Sequence, residues 1–208
     1  NHMDTRVCPT LDEISKMKPR PIHYMGLYGE TILNLDDSYI KQIRDSIELL
    51  RRGDVEGRRV SNKNFGWQSG FLPQTGPFEK LSQKICMEAF DFCKNLKKFE
   101  FKKIVMAALW ANINYKGDIN WPHNHGGDLA GVFYLNPSKN CGNLGLVNFQ
   151  YARTGLGNYL YNENTISIEP KKNKLILFNA PTYHFVEKNF SDKIRISISF
   201  NLDILKEQ

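Results

Sequence analysis

The chain has 208 residues, of which 41% are hydrophobic and 24% charged, as is ordinary for a soluble globular protein. This length predicts a single domain, residues 4–208, rather than two full domains. No apolar run approaches the roughly 20 residues needed to cross a bilayer, which excludes a transmembrane helix. The net charge of +6 is spread over scattered lysine pairs, so we expect a solvated basic surface more than a nucleic-acid site.

The N-terminus and the cysteines bear on cellular location. Residues 1–3, Asn-His-Met, lack the order of a signal peptide, and we interpret them as the remnant of an expression tag. The four cysteines, at positions 8, 86, 93 and 141, form no CxxC pair and do not suggest a disulfide framework. We therefore expect a cytoplasmic protein.

The first half of the chain predicts two amphipathic helices. Between residues 36 and 52 isoleucines recur at helical spacing, and Asp36 or Asp37 supplies the N-cap. Pro77 marks the start of the second helix, where its missing N–H costs nothing. The stretch between the helices, 60–77, is rich in Gly, Asn and Pro and predicts a long loop.

After residue 98 the hydrophobic period changes from helical to alternating, which predicts strands for the rest of the chain. The predicted strands are 101–115, 129–136, 144–151, 165–168, 174–178, 184–187 and 194–202. Helical support at about 36–98 followed by a β core at about 99–203 predicts a mainly β fold with α. Its antiparallel sheets would close into a sandwich or barrel, with the helices bracing one side.

Two of the predicted strands are polar on one face only. In the last strand the alternating polar residues are Arg195, Ser197, Ser199 and Asn201, and in strand 101–115 they are Trp110, Asn112 and Asn114. Such a face either meets bulk water, as on most antiparallel sheets, or lines a ligand cavity. The pattern alone leaves both alternatives open.

The segment 121–128, WPHNHGGD, contains two histidines one residue apart. His123 and His125 stand at i and i+2, so in an extended segment they point to the same side and can converge on one metal ion. His184 follows a distant predicted strand and would complete a set of three. Imidazole ligands suit iron, zinc, nickel or copper, so the ligand type alone leaves the metal open.

One known metal motif that this segment approaches is that of the cupins. Gly117, the two histidines and Asp128 come close to the first cupin motif, in which two histidines and an acid bind the metal. The second cupin motif is absent, because no glycine follows Pro181. A cupin-type metalloenzyme that does not use 2-oxoglutarate therefore remains an alternative.

The other pattern resembles the Fe(II)/2-oxoglutarate oxygenases, whose last histidine is followed by an Arg-x-Ser. Three segments, SNKNFGWQS (61–69), HNHGGDLAGVFYL (123–135) and RISISFN (195–201), resemble the 2-oxoglutarate/Fe(II)-dependent oxygenase family found widely in marine bacteria and cyanophages. The resemblance covers roughly residues 25–203. It implies a double-stranded β-helix, that is, a jelly-roll, cupin-like barrel braced by the N-terminal helices.

The resemblance also implies ligand roles. Fe(II) would be held by His123, His125 and His184. The chain departs from the superfamily's usual His-x-Asp/Glu motif at His125, so three alternatives for the third ligand remain. It is His125 itself, Asp128 brought round by a turn at Gly126 and Gly127, or water. The spacing of i and i+2 favours His125.

The cosubstrate, 2-oxoglutarate, would be gripped by Arg195 and Ser197, because a planar guanidinium meets a carboxylate with two parallel hydrogen bonds. Local similarity of WPHNHG to the aspartyl/asparaginyl β-hydroxylases places Asn112 near 2-oxoglutarate, and Tyr134 is expected as a further donor. These four residues form the expected cosubstrate site.

The implied function is that of an enzyme, a 2-oxoglutarate-dependent dioxygenase that uses O2, releases succinate and CO2 and hydroxylates an unactivated C–H bond. Its primary substrate would be a small molecule or a protein side chain. The stretches 60–76 and 152–164 are candidate lids. Besides the cupin alternative, a non-catalytic basic domain that contacts nucleic acid remains open, and the sequence does not indicate an oligomeric state.

Overall fold

The structure is a computed structural model that describes residues 20–22, 26–62, 66–95, 100–147 and 165–206. Within these residues it contains two α-helices and eleven strands, which confirms the mainly β prediction. The predicted tag remnant and the candidate lid at 152–164 lie outside the described residues. No helix in the described part of the chain combines the length and apolarity that crossing a membrane would require.

The two helices lie where the sequence predicts them. Helix α1 spans Asp37–Gly53 and helix α2 spans Glu79–Lys94, the latter preceded by a 3-10 turn at Gly76–Phe78. Asp36 is the N-cap of α1, because its side chain accepts a hydrogen bond from the backbone N–H of Tyr39 at 2.8 Å. This settles the choice between the two aspartates.

The hydroxyl of Tyr39 joins the two helices at their N-terminal ends. It accepts a hydrogen bond from the N–H of Leu81 at 2.9 Å and donates one to the carbonyl of Pro77, also at 2.9 Å. The first turn of a helix leaves backbone N–H groups without partners, so this contact satisfies one of them in a buried place. The helix pair is thereby fixed as one layer.

The strands are listed here in chain order: β1 Arg20–Ile22, β2 Gly26–Ile32, β3 Trp67–Gln68, β4 Lys103–Asn114, β5 Asn120–His123, β6 Leu129–Tyr134, β7 Leu144–Val147, β8 Thr165–Ile168, β9 Lys174–Asn179, β10 Tyr183–Val186 and β11 Arg195–Leu205. They form a seven-stranded sheet of order β1-β2-β9-β6-β11-β4-β3 and a four-stranded sheet of order β5-β10-β7-β8. Each of these neighbouring pairs is antiparallel. This is the two-sheet jelly-roll arrangement of a double-stranded β-helix.

Four strands were not predicted. β1 and β2 lie before the helices, and β2 extends the larger sheet by pairing with β9. β3 lies inside the predicted loop 60–77, where it pairs with β4. β5 contains Pro122 and sits at the edge of the smaller sheet, the place where a strand tolerates proline.

Two apolar clusters explain why β11 has one apolar and one polar face. The first cluster joins both helices to the apolar face of β11, namely Ile196, Ile198, Phe200 and Leu202, all nearly inaccessible to solvent. The second cluster lies between the two sheets and includes Val132, Tyr134, Leu146 and Phe178. The polar face of β11 is therefore directed away from the helices.

Candidate active site

A cavity of about 280 Å³ is lined by residues of both sheets. The polar residues of β11 and β4 that line it are Arg195, Ser197, Ser199, Asn201, Asn112 and Asn114, and Trp110 lines it beside them. The two polar faces therefore line a cavity rather than meet bulk water. This confirms the ligand-cavity alternative for both strands.

Three histidines meet in the wall of this cavity. One side-chain nitrogen from each of His123, His125 and His184 lies within 4.8 Å of the others, close enough for one metal ion to bind all three. His123 and His184 are directly paired across β5 and β10. The backbone N–H of His125 donates to the backbone carbonyl of Ala180 at 3.0 Å. The structure brings together the three histidines that the sequence singled out.

An irregularity in β5 directs His123 into the cavity. His184 pairs with His123 while Val186 pairs with Asn120, so three steps along β5 match two steps along β10. This extra residue is a β-bulge, which places two residues of odd spacing on the same face. Both Asn120 and His123 consequently line the cavity.

Backbone carbonyls orient two of the three imidazole rings. The Nδ1 atom of His123 lies 2.6 Å from the carbonyl oxygen of Trp121, and the Nδ1 atom of His184 lies 3.0 Å from that of Thr182. Because a carbonyl can only accept, Nδ1 carries the hydrogen in both rings. The Nε2 atom of each ring is then left with the lone pair that a metal needs.

Burial keeps all three imidazoles neutral. It lowers the pKa of His123, lowers that of His125 to about 4 and lowers that of His184 to about 3, with the neighbouring His123 adding to the last two. A histidine with a lowered pKa is unprotonated at neutral pH. The site therefore presents three neutral nitrogen ligands.

Asp128, the alternative third ligand, is not part of this cluster. The glycine turn does bring Asp128 round, but toward the larger sheet, where its Oδ2 atom accepts a hydrogen bond from the N–H of Ile204 at 2.7 Å. Its carboxylate therefore connects the start of β6 to β11, and the residue is exposed. The alternative that Asp128 is a ligand is not supported, because its carboxylate is engaged elsewhere.

Arg195 is a buried cation at the other end of the cavity. Only 1% of its surface is exposed, and its Nη1 atom donates to the carbonyls of Cys141 at 2.9 Å and Gly142 at 3.1 Å. Its Nε atom has no hydrogen-bond partner among the described residues. Asp118, a carboxylate whose charge acts on Arg195, bonds instead to the N–H of Tyr115 at 2.6 Å.

Burial lowers the pKa of Arg195, but an arginine remains charged in a protein interior. A buried charge without a close counter-ion is costly, unless an anionic ligand completes it. The guanidinium is therefore the place in this cavity that fits a carboxylate.

The other expected cosubstrate residues lie beside Arg195 in register. Ser197 of β11 is the direct partner of Asn112 on β4 and of Tyr134 on β6, so the three side chains form a row across three strands. Asn112 donates from Nδ2 to the hydroxyl of Ser199 at 3.0 Å. Burial raises the pKa of Tyr134 to about 12, so its hydroxyl stays protonated and can donate.

The sequence did not identify a chain of side chains that ties loop 57–62 to the sheets. Asn114 donates from Nδ2 to Oδ1 of Asn120 at 3.0 Å, and Asn120 donates from Nδ2 to the hydroxyl of Ser61 at 3.0 Å. All three residues line the cavity. Asparagine and serine in loops are too common for their spacing alone to mark a site.

Comparison with known proteins agrees with the fold. Residues 108–201 match the model of the family described as "Putative 2OG-Fe(II) oxygenase", a segment that contains the three histidines, Arg195 and Ser197. The match covers just under half of the chain, and the metal-competent triad lies within it. The matched segment is therefore similar to oxygenase enzymes that use Fe(II), 2-oxoglutarate and O2.

Solved structures show the same fold. A prolyl-4-hydroxylase from Pseudomonas putida is 11% identical, with a TM-score of 0.59, over 87% of this chain and 93% of its own. The viral collagen prolyl hydroxylase of Paramecium Bursaria Chlorella virus-1, in complex with 2-oxoglutarate, is 17% identical, with a TM-score of 0.55, over 84% and 94%.

HygX from Streptomyces hygroscopicus, solved with nickel, 2-oxoglutarate and hygromycin B, is 10% identical, with a TM-score of 0.57, over 85% and 82%. At these identities the likeness describes the fold alone. No curated protein matches the sequence of this chain significantly.

Proposed function

We propose that this oxygenase is a hydroxylase in which His123, His125 and His184 hold Fe(II) and Arg195 anchors 2-oxoglutarate. The observation that supports it best is the pairing of two features within one cavity. A metal-competent triad lines the cavity that also contains a buried arginine without a close anionic partner. A ligand that chelates a metal at one end and offers a carboxylate at the other matches both.

The donor set of the triad fits Fe(II). Neutral imidazoles are ligands that divalent iron accepts, and three of them on one side leave coordination positions for a chelating cosubstrate and for O2. The hydrogen bonds at Nδ1 of His123 and His184 pre-orient the rings before the metal binds. The third ligand in this proposal is His125, in agreement with its place in the cluster.

The residues around Arg195 fit the far carboxylate of 2-oxoglutarate. The Nε atom of Arg195 offers a free donor, and Ser197 and Tyr134 supply hydroxyls on neighbouring strands. Asn112 stands on the other side of Ser197 and holds the hydroxyl of Ser199 in place. The row orients the cosubstrate along β11.

Bound iron and 2-oxoglutarate supply the oxidising chemistry, in which O2 is consumed, 2-oxoglutarate yields succinate and CO2, and a C–H bond becomes C–OH. The protein supplies position and shelter from water. The apolar side chains of Val132, Leu144 and Phe178 line the cavity between its two polar ends. Phe178 also packs against the ring of His184, with centroids 4.8 Å apart.

The test is anaerobic reconstitution with Fe(II) and 2-oxoglutarate. We expect a visible metal-to-ligand charge-transfer band in the wild-type protein and loss of bound metal in His184→Ala. Arg52→Ala is the matched control, because this arginine is exposed in the last turn of α1 and does not line the cavity. Bound iron without the band would contradict the proposal and favour a cupin-type enzyme.

The primary substrate belongs to the same proposal. Among the similar folds, a Trichoplax adhaerens prolyl hydroxylase was solved with a peptide fragment and HygX with hygromycin B, so both peptide and small-molecule substrates are candidates here. The cytoplasmic location expected from the cysteines stays a prediction.

A further inference from the structure

A second, more open cavity of about 490 Å³ adjoins the histidine triad. Its lining residues are Val60, Ser61, Trp121, Pro122, His123, Asn124 and His125. Four of them, Val60, Ser61, His123 and His125, also line the first cavity, so the two cavities meet at the triad. A molecule in the second cavity would lie beside His123 and His125, whereas Arg195 lines the first cavity only.

Large apolar side chains are exposed around this opening. The exposed fraction is 53% for Trp121, 56% for Val60 and 82% for Phe71, which lines the first cavity. Single exposed apolar residues are ordinary, but several at one mouth mark a surface that a ligand covers. Val60 and Trp121 form such a rim at the second cavity, and Phe71 is exposed at the first cavity, which Val60 also lines.

Hydrogen bonds fix the wall that carries this rim. The N–H of Trp121 donates to the carbonyl of Ser61 at 2.8 Å, and Asn120 holds the hydroxyl of the same serine. The buried side chain of Asn62 accepts from the N–H of Val60 at 3.0 Å and donates to the carbonyl of Arg58 at 3.2 Å. The wall is therefore formed before a ligand arrives, which lowers the entropic cost of binding.

The described lining of both cavities is almost free of charge. Arg195 is the one charged side chain in this lining, because the histidines and Tyr134 are neutral. The other polar side chains include Ser61, Gln68, Asn124 and Asn201.

This composition disfavours ionised ligands at the opening. No carboxylate in the described lining could pair with a cation, and no lysine or arginine lines the second cavity to pair with an anion. An ionised group would thus lose its hydration without compensation.

We propose that the second cavity is the primary-substrate site and that it takes an uncharged group with an apolar ring face and an amide or hydroxyl edge. The ring stacks on Trp121 beside Val60, while the edge bonds to the amide side chain of Asn124. Hydroxylation of a molecule bound in this cavity rests on the proposed function, whereas its binding there does not.

The experiment measures binding by 19F NMR with three probes of equal shape: 4-fluorobenzamide, 4-fluorobenzoate and 4-fluorobenzylammonium. The protein is measured with excess 2-oxoglutarate, both without metal and with Fe(II) under anaerobic conditions. Trp121→Ala removes the ring but not the backbone contact with Ser61, and Phe190→Ala is the control, an exposed aromatic outside both cavities. Only binding that is lost in Trp121→Ala is attributed to the rim.

We expect the benzamide to bind in the wild type and in Phe190→Ala, and to bind roughly tenfold more weakly in Trp121→Ala. We expect the two charged probes to bind the wild type roughly tenfold more weakly than the benzamide does. Trp121→Phe should restore most of the affinity. Equal or tighter Trp121-dependent binding of a charged probe, or no Trp121-dependent binding of the benzamide, overturns the inference. If the benzamide binds but Fe(II) and 2-oxoglutarate give no charge-transfer band, the proposed function fails and the substrate site stands.

Discussion

The arginine end of the cavity is built from the middle of the larger sheet, whereas the histidine end combines the inner strand β10 with an edge strand and a loop. At the arginine end, antiparallel register alone places Asn112, Ser197 and Tyr134 side by side. At the histidine end, β5 is bulged, contains Pro122 and has a neighbouring strand on one side only. The first end is fixed by sheet register, whereas the second depends on a bulge and a loop.

The largest expected effect comes from breaking the arginine end. Arg195→Ala should weaken 2-oxoglutarate binding by at least 100-fold, about 3 kcal/mol, because a buried charge pair and its bidentate geometry are lost together. Arg195→Lys keeps the charge but not the planar fork, so it should recover only part of the affinity. Titration of the charge-transfer band with 2-oxoglutarate measures the affinity of both variants, with Arg52→Ala as the control.

The next effect comes from the histidine end. His125→Ala should reduce Fe(II) affinity strongly, whereas Asp128→Asn should leave it unchanged, since that side chain bonds to the N–H of Ile204. His125→Asp should keep iron, because it restores the His-x-Asp pattern usual in the superfamily. The iron content of the three variants after anaerobic dialysis measures these differences. A large loss of iron in Asp128→Asn would show that the third ligand has been misassigned.

A smaller effect is expected from Gly142, whose backbone lies against the guanidinium of Arg195. Gly142 has φ of +90°, and a Cβ atom there would lie 2.2 Å from the carbonyl oxygen of Glu187 and 3.1 Å from Nη1 of Arg195. Gly142→Ala should therefore cost about 1–3 kcal/mol of unfolding free energy and also weaken 2-oxoglutarate binding. Gly53→Ala, at an open position with ordinary φ, is the control and should be neutral or slightly stabilising. Chemical denaturation measures the difference.

The smallest effect concerns pH and the metal-free protein. The folded-state pKa of His184 is lowered to about 3 and that of His125 to about 4, whereas in the unfolded chain both would have the ordinary histidine pKa of about 6.5. The unfolded state then binds more protons, so the melting temperature should fall as the pH drops below 6.5. The fall should be smaller in His184→Gln. An unchanged melting temperature between pH 7 and pH 5.5 would contradict the neutral triad.

The sequence predicted much of this fold because apolar alternation and helical spacing are local patterns. The helices and β4, β6 and β11 follow directly from them. β5 could not be predicted in this way, because a proline and a bulge interrupt the alternation of its side chains. β2 contains two glycines in Gly26–Ile32 and joins the sheet only through distant β9. Its place depends on tertiary pairing that no local pattern contains.

The site was predicted as far as chemistry-bearing residue types allowed. Four residues stand out because few other side-chain types bind metals or carboxylates as they do, namely His123, His125, His184 and Arg195. Asn120 and Trp121 do not stand out, and only the bulge and the hydrogen bonds to Ser61 give them a place. The choice between His125 and Asp128 likewise needed the direction of the glycine turn.

A crystal structure of the anaerobic complex with Fe(II) and 2-oxoglutarate would show both ends of the site at once. We expect iron bound to Nε2 of His123 and His184 and to the ring of His125, with the far carboxylate of 2-oxoglutarate on Arg195. Iron bound by Asp128, or 2-oxoglutarate bound away from Arg195, would contradict this expectation.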